Sequence, residues 1–247
     1  MISFTARAAR ITSAVLCAYL QRIGSSLRIG IALSDGVIRP TLDDAISELS
    51  NSQELTGATL LPLWTYDQIT LLSLGFTRTS IKTLLHRFKF FVDDSFGGLV
   101  MNGAVARIQG SVISISDKDP AARLRSLRSV MSEQPAAFLV VDGRGPYFRV
   151  GTGLINLAYA IGATIVPCSA HASPALKIRG RAASISLPLP NSRIAVSLGA
   201  PIHFGLKQRE ATAHDQARSL EQALVALSAK TLEICRDGWI ASTGRTK

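Results

Sequence analysis

The sequence predicts an α/β fold, a mostly parallel central sheet flanked by helices, with an amphipathic helix at its N-terminus. Three observations lead there. From residue 58 onward, short apolar runs bounded by turn residues alternate with segments of helical period, the pattern of strand–helix–strand units. The strand-length runs, such as "ATLLPLW" and "AAFLVV", are apolar at consecutive positions, as in strands covered on both faces. Hydrophobic residues make up 47% of the chain, aromatic ones 6% and charged ones 18%; this mix suits helices layered on a sheet better than an aromatic-rich sandwich.

The 247 residues suit one large domain or one domain with a small appendage. We divide them into an N-terminal helical region, residues 1–55, and an α/β domain, residues 56–247. In residues 5–30, Ile11, Val15, Leu16, Tyr19 and Leu20 form an apolar stripe with Arg7, Arg10 and Arg22 outside it. Such a helix either anchors at a membrane surface or packs on the domain. The acidic stretch 33–55 reads as a further helix. "ATLLPLW" is then a buried strand, "TYDQITLLSLGF" opens a helix, "TSIKTLLHRF" is a helix and "KFFVDD" a strand. "GLVMNGAVARIQ" is helical, "SVISIS" a strand, and "PAARLRSLRSVMSE" a helix with arginines outward. "AAFLVVD", "GTGLINLAYAIG" and "ATIVPCSAH" continue as strand, helix and strand. "SRIAVSLGAPI" is a late strand, and "QARSLEQALVALSAKTLEIC" a C-terminal helix.

The net charge of +10 implies acidic partners: nucleic acid, anionic lipid or phosphorylated substrates. The sequence has no RNP-like aromatics, helix-turn-helix spacing or zinc pattern, which counts against nucleic acid. Three cysteines are too few and too odd in number for a disulfide framework, and suit a reducing compartment. The apolar run at residues 11–20 is short of a membrane span, and the run at 154–170 is interrupted by Asn156, Gly162 and Pro167. The expectation is a protein that lies on a membrane without crossing it.

The most informative loop is Asp142-Gly143-Arg144-Gly145-Pro146, directly after a strand. Its glycines allow a sharp turn close to a ligand, and its Arg can hold a phosphate through two charge-assisted bonds. Gly151-Thr152-Gly153 opens the next helix, whose amides favour an anion.

That loop, then Val150, Gly153, Leu157-Ala158 and Gly162-Ala163-Thr164-Ile165-Val166-Pro167, resembles the lysophospholipid acyltransferase superfamily. The bacterial branch of that superfamily carries a "PDGPRGP" loop and a "GxPIVPV" strand. Leu187-Pro188-Leu189-Pro190, Ser192-Arg193 and Gly199-Ala200-Pro201-Ile202 are similar to its "IPxPFSRV…GEPI" ending. Leu63-Trp64, Ser95-Phe96-Gly97-Gly98 and residues 114–122 fit upstream, so the resemblance spans about residues 58–203. It implies transfer of an acyl group from acyl-CoA or acyl-carrier protein to a hydroxyl, often of a lysophospholipid, with no metal or held cofactor. The family's base is the His of an HxxxxD motif. It also implies binding of the acceptor phosphate by Asp142, Gly143, Arg144 and Gly145 and by a basic residue of a later loop, here Lys118.

The family's "LWH" matches Leu63-Trp64-Thr65, so Thr65 stands where the His is expected and Thr70 where the Asp is expected. A threonine hydroxyl is no general base near neutral pH. Asp67, if burial raises its pKa, and His171, read as lying at a strand end, are the candidate replacements, with Thr65 itself at the site. The alternative is a catalytically inactive relative that binds lipid or membrane. The expected setting is cytoplasmic, peripheral at the inner membrane face.

Overall fold

The computed structural model describes residues 4–33, 38–39, 58–77, 88–115, 129, 131, 136–142, 148–179, 184–203 and 212–237. Helix α1 (Phe4–Ile23), a 3-10 turn (Gly24–Ser26), β1 (Arg28–Ala32) and β2 (Ile38–Arg39) come first. β3 (Thr59–Leu63) leads through a 3-10 turn (Thr65–Asp67) into α2 (Gln68–Ser73) and a second 3-10 turn (Leu74–Phe76). β4 (Phe88–Asp93), α3 (Phe96–Arg107), β5 (Ser111–Ile115), β6 (Ala136–Val140), α4 (Thr152–Ile161) and β7 (Thr164–Ile165) follow. Then come β8 (Cys168–Arg179), β9 (Ser184–Leu198), β10 (Ile202–His203) and α5 (Ala213–Asp237).

The strands form two sheets. One has six strands in the order β10-β7-β3-β6-β4-β5, parallel throughout except for β10 at its edge. The other has four, in the order β2-β1-β9-β8, with β1 parallel to β9 and the outer pairs antiparallel.

β3 shows why the six-stranded sheet needs cover on both sides. All five of its residues are buried, and side chains alternate between faces along a strand. Leu61 and Leu63 join Phe88, Phe90, Val92 and Phe138 in a core closed by α1, α2, α3 and the inner face of the small sheet. Leu60 and the following Trp64 join Phe91, Ile155, Ile165, Leu220 and Leu224 in a second core under α4 and α5. The mostly parallel sheet between helices is therefore as the sequence predicts.

Local chemistry sets the helix ends. Ser95 caps α3 by accepting from the Gly98 amide at 3.1 Å. A β-carbon on Gly98 would stand 2.1 Å from the Asp93 carbonyl oxygen, so only glycine fits that turn. α4 ends at Gly162, which adopts φ +66°, the left-handed C-cap that glycine takes without strain.

Four expectations need correction. The helical reading of residues 5–30 fails after the 3-10 turn, because residues 28–32 extend along β9 as β1. Ile38 and Arg39, inside the acidic stretch read as helix, form β2, and the rest of residues 34–57 lies outside the described residues. "ATIVPCSAH" is two strands in two sheets. Val166 bonds to β3 (N to Leu60 O, 2.8 Å), and from Cys168 onward the chain pairs with β9 instead. The late strand begins earlier than read, so Leu187-Pro188-Leu189-Pro190 lies within β9, paired with residues 175–176 of β8 at its start. Of the helix read at 79–88, Phe88 begins β4 and the rest lies outside the described residues, as does most of the helix read at 120–133.

The apolar stripe of α1 is divided. Ala9, Ser13, Cys17, Leu20 and Ile23 are buried, and the helix packs against α3, where Arg107 donates to the Ser13 hydroxyl at 3.2 Å. Ile11 and Val15, placed by the sequence with Leu20, are 59% and 65% exposed, and Phe4 is 88% exposed. Replacing the fully buried Leu20 by Ala is expected to cost about 2–5 kcal/mol, whereas Ile11→Ala stays within about 0.5 kcal/mol. Urea unfolding followed by circular dichroism checks both.

Candidate functional site

β3 and β6 run parallel with Leu63 opposite Val140, and the pairing continues one step further through Val141 N to Leu63 O at 3.1 Å. The loops leaving the two strand ends therefore begin side by side, the usual place for a site in such folds. Thr65 and Asp142 meet there. Asp142 is buried, and its Oδ1 accepts from both the Thr65 amide and the Thr65 hydroxyl at 2.7 Å. Its Oδ2 accepts from the Phe148 amide at 3.2 Å. Both oxygens thus pin the start and end of the loop. Gly143, Arg144 and Gly145 within it, and Lys118, lie outside the described residues.

The 3-10 turn after β3 points its side chains in different directions. Asp67 is completely enclosed. Its Oδ2 accepts from Ser169 of β8 at 3.2 Å, and its Oδ1 has no hydrogen-bond partner among the described residues. Burial pushes its carboxyl well above the usual range and the nearby Asp142 charge adds to this, against smaller lowering by the Ala170 amide and Ser169. Thr70, expected at the acidic position of the motif, is buried, and its hydroxyl meets the Ser186 carbonyl at 3.5 Å.

Tyr66 faces the other way. Its phenol meets the Ser228 hydroxyl of α5, and its ring lies 5.4 Å from the His171 ring and 5.7 Å from Phe148. Phe148 in turn stands edge-on to Trp64 at 5.5 Å. Burial, with Asp67 and Asp142 nearby, drives the phenol pKa up, so Tyr66 stays protonated.

His171 does not lie at a strand end as read. It is inside β8, opposite Ala195, because β9 continues the ladder past it. The twofold alternation of β8 puts it on the same face as Ser169, toward Tyr66 and α5. Its Nε2 lies 3.0 Å from the Ser228 hydroxyl. Burial chiefly, then the positive charges of Lys177 and Arg236, lower its pKa to about 4 against a raising hydrogen bond with the Ser228 backbone. The imidazole is neutral at physiological pH.

Three of the sequence candidates, Thr65, Asp67 and His171, thus collect around one turn, with Asp142 beside them. Sequence reasoning missed Tyr66, Phe148 and Ser228. Tyr66 adjoins the motif position and could have been noticed. Ser228 is one small residue four positions after Leu224, so its spacing places it on the buried stripe of α5 but gives no sign of chemistry. Glu221 of α5 was also missed: its carboxylate takes the Val150 amide at 3.2 Å and Arg149 at 3.1 Å, so the entry to α4 is already bound by an acidic side chain. No group of three His, Cys, Asp or Glu residues among those described could hold a metal ion. Comparison with protein-family models and with curated proteins returned no match to this chain.

Asp67 gives a stability test. Below about pH 4 both folded and unfolded chains carry it protonated. Above that, the unfolded chain releases a proton that the folded chain keeps, so this group lowers stability as pH rises. Asp67→Asn is expected to be more stable than wild type at pH 7, with the difference closing as pH falls toward 4. Urea midpoints across that range measure it.

Proposed function

We propose that the chain moves a fatty acyl group from acyl-CoA or acyl-carrier protein to a hydroxyl of a lysophospholipid or related acceptor. The observation that carries this reading is the neutral His171 imidazole, 3.0 Å from a hydroxyl and beside the turn that holds the motif position Thr65. A group that removes a proton from an alcohol must be unprotonated and within hydrogen-bond reach. His171 meets both conditions. Burial holds the Asp67 carboxyl well above the usual range behind Ser169, so it serves the turn as a buried acid. Thr65 and Asp142 hold the loop that carries Gly143, Arg144 and Gly145, and Arg144, with Lys118, is the group suited to an acceptor phosphate. The ordered resemblance across residues 58–203 supplies the acyl donor and acceptor class.

α1 supports work at a membrane surface. No described helix is long and apolar enough to cross a membrane. Phe4, Ile11 and Val15 are exposed on the helix face opposite its buried one, and Arg7 and Arg22 are exposed along the same face. Residues 1–33 contain four arginines (Arg7, Arg10, Arg22 and Arg28) and no acidic residue. Apolar groups flanked by unopposed positive charge suit the interface of an anionic bilayer, the inner face of a bacterial-type membrane. A second reading, a silent lipid-binding relative, has one observation in its favour: the hydroxyl at the family's His position is already bonded to Asp142.

Purified protein given radiolabelled acyl-CoA and mixed lysolipids is expected to form labelled phospholipid. No product with either thioester or carrier-bound donor, while liposome binding persists, selects the silent reading. His171→Gln should lower kcat about 10²–10⁴-fold. Because the base must be unprotonated, kcat/KM should fall as pH drops through about 4 and show no His limb near neutrality.

On vesicles containing anionic lipid, Arg7→Ala with Arg22→Ala should weaken binding roughly thirtyfold, at about 1 kcal/mol per arginine. Sedimentation with neutral vesicles as control reads this out. Equal binding by the variant would remove the surface role of α1.

A further inference from the structure

The described residues used so far leave Ser228 without a role. It stands between two groups that suit a nucleophile. A serine hydroxyl has one proton to give and can also accept. The Tyr66 phenol stays protonated and can donate its O–H to Ser228 Oγ. In the tautomer that leaves Nε2 bare, Ser228 can then give its proton to His171 Nε2, 3.0 Å away. A hydroxyl hydrogen-bonded to an unprotonated imidazole is the arrangement that activates serine for attack on an acyl carbon.

The surroundings hold that arrangement in place. β8 is clamped against β9 on one side, and the buried Cys235 of α5 donates to the His171 and Arg193 carbonyls at 3.4 and 3.3 Å. Arg193 reaches back to the Arg236 carbonyl at 2.7 Å, fixing the end of α5 to β9. The Tyr66 ring lies over the imidazole from the β3 side. The charged groups around His171 are Lys177 on its own strand, Arg236 on α5, and Asp67 and Asp142 beyond Tyr66. Burial chiefly, with the two cations adding to it, keeps the imidazole unprotonated. Ser228 and His171 are each half-buried, whereas Asp67 is completely enclosed.

We propose that Ser228 is a nucleophile that carries the acyl group covalently, with His171 as its base. This rests on the acyl-transfer reading for its substrate class. Ser228 Oγ attacks the thioester carbonyl, its proton passes to His171 Nε2, and an ester bond to Oγ forms as the carbon–sulfur bond breaks. The proton on His171 goes to the departing sulfur, which leaves as free thiol. In the second half the acceptor hydroxyl gives its proton to His171 and attacks the ester. The bond to Ser228 breaks, and the proton returns to Oγ. No oxidant, reductant or metal enters. A chain without the family's HxxxxD pair would thus reach the same product by two steps.

The test uses the intact protein and two probes, a long-chain alkyl fluorophosphonate and palmitoyl-CoA with acid quench, each followed by intact mass and peptide mapping. The expected result is one adduct, on the peptide bearing Ser228, with both probes. Ser228→Ala should abolish it while circular dichroism and urea unfolding remain native, and His171→Gln should slow labelling at least about 100-fold. Mapping of the wild-type adduct stands even if a variant fails to fold. Wild-type protein with no adduct on Ser228 overturns the proposal. So does labelling that is as fast in His171→Gln. The acyl-transfer reading fails separately. Product formed at full rate by Ser228→Ala keeps acyl transfer and sinks the covalent step; Ser228 labelled by fluorophosphonate without transfer to any lysolipid keeps the nucleophile and sinks the acceptor.

Discussion

The parallel pairing of β3 with β6 is the constraint on which the site depends. Its register, Leu63 opposite Val140, decides which residues of two distant segments emerge together. Once the strands end in step, Thr65 and Asp142 are neighbours, and a single carboxylate can satisfy two amides and a hydroxyl. A slip by one residue would turn every side chain of β3 to the opposite face. It would exchange Leu61 and Leu63 for Leu60 and Trp64 between two separate cores. The hydrophobic cost of that exchange keeps the polar contact in place. The site is therefore aligned by the burial of leucines beneath it and not by the strength of its own hydrogen bonds.

The second constraint is the passage from β7 to β8. A chain continuing straight would have kept His171 in the six-stranded sheet. The bonding to β3 ends at Val166, and beyond Pro167 the chain enters the smaller sheet, whose strands approach the same turn from the side. Ser169 and His171 thereby reach Asp67 and Tyr66 from a direction that a purely parallel sheet lacks. α5 closes the remaining side, packing on β8 and β9. The candidate site is thus built from three layers: a strand end, a hairpin face and a helix.

Much of this was legible in the sequence where apolar runs were continuous. β3, β6 and α4 stand where "ATLLPLW", "AAFLVVD" and "GTGLINLAYAIG" place them, because consecutive apolar residues have no solvent-facing alternative. The small sheet was not legible in full. "LKIRGRAASISLPLP" mixes charge, serine and proline, and its strands form a partly exposed hairpin whose pairing is non-local information. β1 was hidden for a related reason: five residues after a helix take their conformation from β9, more than 150 positions away. Thr65, Asp67 and His171 were found by type and order, yet whether each is enclosed or accessible came only from packing. Asp67 and His171 carry shifts in opposite charge senses from one cause, loss of water around the charged form. No local pattern encodes that. Ser228 falls on the apolar stripe of α5 by its spacing from Leu224, but a serine there reads as packing and not as chemistry.

The three cysteines, which play no part in the chemistry, have a use of their own. Cys17, Cys168 and Cys235 are all free and buried, one each in α1, β8 and α5. Burial raises the thiol pKa of each, so none reacts readily while its surroundings stay closed. They divide the molecule into three regions: the helix proposed to face lipid, the hairpin that presents the histidine, and the helix that presents the serine. The order in which they become alkylated under mild denaturant is the order in which those regions open. The native cysteines thus form a built-in set of probes for whether the outer helix loosens alone or takes the site with it.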